Sequence, residues 1–90
     1  MFSFSGGQLS MCSDVHRHYL QDLGFLVKDN ALEARRKQKE AEGTSAADFA
    51  NGYSLAWYEI VSLLQGQAVA FQLPLEDLGL ERFNPDRELL

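Results

Sequence analysis

The sequence is short of the features that commit a small protein to a particular chemistry. It has one cysteine, Cys12, in 90 residues, which excludes an internal disulfide framework, fits a reducing compartment and leaves only a bridge to another molecule open. Its two prolines are Pro74 and Pro85, so the strongest helix breaker is missing from everything before position 74. Long apolar runs are lacking too: the stretch Leu23 to Val27 contains Gly24 and gives way to Lys28 and Asp29, far short of the ~20 residues that span a bilayer. The opening MFSFSGGQLS has no apolar signal-peptide core, and the first basic residue is Arg17. No export mark is therefore read, and a cytoplasmic location is expected. Positive charge is in deficit, with 8 Lys and Arg against 13 Asp and Glu for a net charge of −5, which makes nucleic acid and anionic membranes disfavoured partners. Neither a strand-like alternation nor an internal repeat is visible.

What is present reads as helix. An apolar fraction of 46% and a charged fraction of 23% are ordinary for a folded domain and unlike a disordered chain. Residues 1–12 are expected to form a flexible tail and 13–90 a single all-α domain. Ser13 and Asp14 are N-cap types placed ahead of Val15, Tyr19, Leu23, Leu26 and Leu32, which follow helical spacing. The run EARRKQKEAE then leads to Gly43, a C-terminal stop, so a first helix is expected over about 14–42.

Ser45, with Asp48 three residues on, resembles a capping box and opens a second helix over about 46–72. Its apolar row Phe49, Tyr53, Ala56, Trp57, Ile60, Leu64, Ala68 and Phe71 recurs at three and four and is the strongest periodic signal in the chain. Leu55, Val61, Leu63 and Val69 lie off that row, so more of the circumference is apolar than one helix contact would cover. Pro74 closes the helix. Short turns are expected over about 74–78, ended by Gly79, and over 85–89, where Asn84 and Pro85 read as N-cap and first helical residue. Leu75, Leu78, Leu80 and Phe83 would lay this tail across the open end of the hairpin.

A first helix of about 28 residues would be roughly 42 Å long, whereas a compact chain of this size is only about 31 Å across. A two-helix hairpin of that length leaves its second apolar face in water. The expectation is a long antiparallel helical hairpin that dimerises into a four-helix bundle, or whose face is covered by another protein. The interface residues expected on this reading are Phe49, Tyr53, Trp57, Tyr58, Ile60, Leu64, Gln67 and Phe71. Trp57 and Tyr58 point about 100° apart on a helix, so one serves the hairpin and the other an intermolecular contact. Gln65 and Gln67, set among leucines and valines, could fix the register of such a pair. Gly24, Gly52 and Gly66 each cost about 1 kcal/mol inside a helix relative to alanine, which close helix packing would explain.

Site chemistry is sparse. His16, His18 and Asp22 make the one local cluster with metal-ligand character, since His18 and Asp22 are four apart, but exposed histidines near a helix start account for it as well. Glu59, the carboxylate a facing helix would contribute, falls opposite Lys28 in a hairpin turning near Gly43 and reads as its ion-pair partner. Arg35, Arg36, Lys37 and Lys39 interleave with Glu33, Glu40 and Glu42 and lack an aromatic residue for base stacking. Cys12 and His16 lack a third group to orient them as nucleophile and base. No cofactor, metal or catalytic activity is expected. The leading expectation is a noncatalytic interaction or regulatory module, ahead of a small-ligand or metal-binding bundle and a nucleic-acid-associated regulator.

Overall fold

The structure, a computed structural model, describes residues 6–90, with side chains from Asp14 onward. It is all-α: α1 Gly6–Glu40, α2 Ala47–Ala70, a single 3-10 turn Leu75–Leu78, and α3 Pro85–Leu89. No strand occurs among the described residues. Helix α1 passes through Ser13 and Asp14 instead of starting there, because nothing upstream interrupts a helix that is already propagating. Residues 1–5 of the expected tail lie outside the described residues.

The turn between the helices is built by Thr44 where Ser45 was expected to act. The Thr44 hydroxyl donates to the Ala41 carbonyl at 2.6 Å and accepts from the Ala46 amide at 3.2 Å. Ala46, at the N-cap of α2, makes no side-chain cap. At its far end α2 closes in a Schellman arrangement: the Leu73 amide donates to the Ala68 carbonyl at 2.7 Å and the Gln72 amide to Val69 at 3.0 Å. This puts Gln72, not a glycine, at φ 59°. Asn84 caps α3 as its type and position indicated, accepting from the Asp86 and Arg87 amides at 3.0 and 3.3 Å.

Helices α1 and α2 run antiparallel, with Gln38 on α1 donating to Asn51 on α2 at 2.9 Å. On this register the last turn of α2 lies level with Tyr19, so α1 extends well past its partner. The molecule is 59 × 22 × 18 Å with a radius of gyration of 16.8 Å, against roughly 12 Å for a compact chain of this length.

The buried seam of α2 is Ser54, Val61 and Ala68, spaced by sevens. Val61 packs with Ala31 of α1 and with Phe83 and Leu89 from the C-terminal segment. Ala68 packs with Leu78 and Leu80. The C-terminal segment therefore supplies much of the core. It does not lie across the open end of the hairpin as expected; it doubles back along one side of the groove between the helices. The Gln21 side chain donates to the Glu76 carbonyl, Gln65 to the Leu80 and Phe83 carbonyls, and Arg35 to the Leu90 carbonyl at 2.8 Å. Those contacts tie the segment down from Gln21, near the open end of the hairpin, to Arg35 near the C-terminal end of α1.

Gly24 makes this route available. A Cβ there would stand 1.8 Å from the Leu78 carbonyl oxygen and 2.9 Å from its carbon, so the 3-10 turn rests on bare helix backbone. Gly79 follows at φ 69°, close to the Gln21 carbonyl, a conformation that suits glycine. Close packing thus explains Gly24, although against the C-terminal turn and not against a second long helix. Gly52 and Gly66 have nothing within 4 Å of an added Cβ, and packing within the chain does not explain them.

Candidate functional site

A row of exposed, mostly apolar residues along α2 faces away from its own chain. Phe49 is 77% exposed, Leu63 65% and Phe71 71%, while Tyr53, Ile60, Ala56, Gln67 and Ala70 are exposed beside them. From Phe49 the positions Tyr53, Ala56, Ile60, Leu63, Gln67 and Ala70 alternate by four and three. That is a 3.5-residue repeat held over about three heptads, the period of a seam that mates with another helix. Phe49 and Tyr53 stack with ring centroids 5.9 Å apart, and Trp57 meets Tyr53 edge-on at 6.4 Å, so the aromatic part of the seam is already ordered along the helix.

Helix α1 extends this face. Val15, Tyr19, Leu23 and Leu26 are exposed at three-and-four spacing, on the side that further along bears Ala34, Lys37 and Ala41. These last three line a cleft of about 440 Å³ with Phe49, Ala50 and Tyr53. The C-terminal segment covers the other side of the hairpin, so one broad face is closed by the chain itself and its opposite is left open.

The structure divides the expected interface residues. Phe49, Tyr53, Ile60, Gln67 and Phe71 stand on the open face. Trp57 and Leu64 are half-buried at its inner edge, packed against the core. Tyr58 belongs to the covered side, where its hydroxyl donates to the Asp86 carboxylate at 2.5 Å. That bond, together with the neighbouring negative charge, raises the Tyr58 pKa above the usual phenol range. Gln65 also serves the covered side as the clamp of the C-terminal segment, which leaves Gln67 as the polar residue within the open seam. Leu63 was placed off the apolar row in the sequence, yet it is a central member of the open face. The strict four-three alternation was the signal that would have found it.

Other candidates disperse. His16, His18 and Asp22 are all exposed, and among the described residues no group of three His, Cys, Asp or Glu side chains could hold a metal ion. The side chain of Cys12 lies outside the described residues. Lys28 does not pair with Glu59: its ammonium sits over the Phe25 ring, 5.4 Å from the centroid. In the basic run, Arg36 is bonded to Glu33 and Glu40, and the hydrogen bond from Arg36 lowers the Glu33 pKa. Arg35 is held by Gln38 and the Leu90 carbonyl. The two arginines therefore spend their donors within the chain.

A second cleft, about 560 Å³ and open to solvent, lies between α2 and α3, with Tyr58, Ser62, Gln65, Gly66, Phe83 and Asp86 in its walls. The Tyr58 hydroxyl and the Gln65 amide are already engaged across it, so few convergent polar groups remain to orient a ligand. No protein-family model, curated protein or solved structure matches this chain. Among the described residues, no helix is long and apolar enough to cross a membrane.

Proposed function

We propose that this protein is a noncatalytic protein–protein interaction module that works as a homodimer, two hairpins closing their open faces on each other in a four-helix bundle. The observation that carries the reading is the uncovered heptad seam of α2. Monomeric proteins rarely expose a contiguous apolar patch larger than a few hundred Å², and the rings of Phe49, Tyr53 and Phe71 alone present on the order of 400 Å² to water. Two such faces, with Ile60 and Leu63 added, pass the ~1,000 Å² that a specific interface needs.

The total area agrees in size. The chain exposes 6527 Å², whereas a compact protein of its mass would expose roughly 5,300 Å². The excess, roughly 1,200 Å², is more than the ~800 Å² that one partner contributes to a standard interface. Light scattering on a sizing column over a wide dilution range tests the reading. The expected mass is twice 10.1 kDa, falling to the monomer value in Leu63→Glu with helical circular dichroism retained. A wild-type monomer at every concentration refutes the homodimer.

A further inference from the structure

The seam of α2 is complementary to itself in one direction only. We infer that the two copies pair antiparallel through α2, about a two-fold axis passing between Ile60 and Leu63, so that Ile60 packs on the partner's Leu63, Tyr53 on the partner's Ala70 and Gln67 on the partner's Ala56. This inference rests on the homodimer reading and specifies its geometry.

Side-chain volume selects the direction. In a parallel, in-register pair each residue meets its own copy: Tyr53 would crowd Tyr53 and Gln67 would face Gln67, while Ala56 and Ala70 would each face another alanine across a void. Close-packed interiors tolerate neither crowding nor voids. In the antiparallel register Tyr53 and Gln67 each meet an alanine, the two mid-sized aliphatic residues meet each other at the centre, and Phe49 falls opposite position 74, beyond the end of the partner's α2.

The flanks follow the same rule. On the side toward α1, Trp57 meets the partner's Leu64 and Phe71 the partner's Ala50. On the far side, Glu59 passes over the partner's Gly66, one of the two helix glycines with open space at its Cβ. Sliding the pair by one heptad so that Phe49 enters the seam sets Tyr53 against the partner's Leu63, two large side chains, and sliding it the other way takes Tyr53 and Ala56 out of contact. Because a two-fold interface places the same patch on both copies, a seam whose large and small residues exchange under reversal is what a second copy of this chain requires. A pocket for an unrelated partner carries no such constraint.

Single-cysteine variants Ala56→Cys and Gln67→Cys, each in a Cys12→Ser background, test the arrangement with a short bismaleimide after their masses are measured. The expected result is a covalent dimer only when the two variants are mixed, because Ala56 faces Gln67 across the axis. Like residues at position 56 would be about 16 Å apart along the helices. Cross-linking of either variant with itself overturns the antiparallel order, and a dimer that cross-links in neither case overturns the register while leaving the interaction module standing. Monomeric protein throughout overturns both. Nitroxides on exposed Asp48 give an independent reading that leaves the seam untouched: about 40 Å between labels in the antiparallel pair, and a separation near one helix diameter if the pairing is parallel.

Discussion

Replacing Gly24 by alanine sets two physical effects against each other, and the structure says which wins. In an isolated helix the change would be favourable by about 1 kcal/mol. Here the new methyl would stand 1.8 Å from the carbonyl oxygen of Leu78, and the obstacle is backbone, so no side-chain rotation relieves it. The 3-10 turn must lift off α1. Leu78 and Leu80, 6% and 0% exposed, would lose much of their burial, each leucine being worth about 1.5–3 kcal/mol when fully buried. After the propensity gain, a net loss of about 2–5 kcal/mol follows, which lowers the melting temperature by at least about 8 °C in a domain of this size. Gly52→Ala is the control: it adds the same methyl to the same kind of helix with nothing within 4 Å, and should gain stability from propensity alone. The assay is urea and thermal unfolding followed by Trp57 fluorescence and circular dichroism, at one fixed protein concentration because association would shift the midpoint. If Gly24→Ala unfolds with the same midpoint as Gly52→Ala, the close approach of the C-terminal segment is wrong.

Gln65→Leu should cost about 1–2 kcal/mol by releasing the Leu80 and Phe83 carbonyls while leaving the light-scattering mass unchanged; a change of oligomer size would show that Gln65 acts in the interface. Gln72→Gly should stabilise by about 1 kcal/mol, since a non-glycine residue at positive φ carries a steric penalty, and a chemical-unfolding midpoint that falls would contradict the Schellman closure. Tyr58 donates to a carboxylate and has a raised folded-state pKa. Its contribution to stability is therefore intact below the unfolded phenol value near ~10 and is lost as pH rises through the folded pKa. Ultraviolet titration should show the latest-ionising phenol disappearing in Tyr58→Phe, and an unchanged titration curve would remove the Asp86 bond from the account.

Local chemistry carried the elements. The apolar period of α2, the Asn84–Pro85 start of α3 and the proline after α2 each act within a turn or two of themselves, so position and type were readable directly. Thr44 in place of Ser45 shows the limit of that reading: two adjacent hydroxyl residues offer the same chemistry, and which one reaches the Ala41 carbonyl depends on how the chain turns. Gly24 was recognisable as needing a packing reason, but the reason was a carbonyl more than fifty residues away.

The sequence by itself determined that this is an all-helical hairpin with more apolar surface than two helices can hide, because period and composition are properties of neighbours along the chain. Tertiary structure alone decided which side of α2 is hidden. The C-terminal segment, seated on Gly24 and held by Gln65 and Tyr58, covers Ser54, Val61 and Ala68. The heptad row from Phe49 to Ala70 is thereby left facing outward, since a helix with apolar residues around most of its circumference does not specify which stripe its own chain will take.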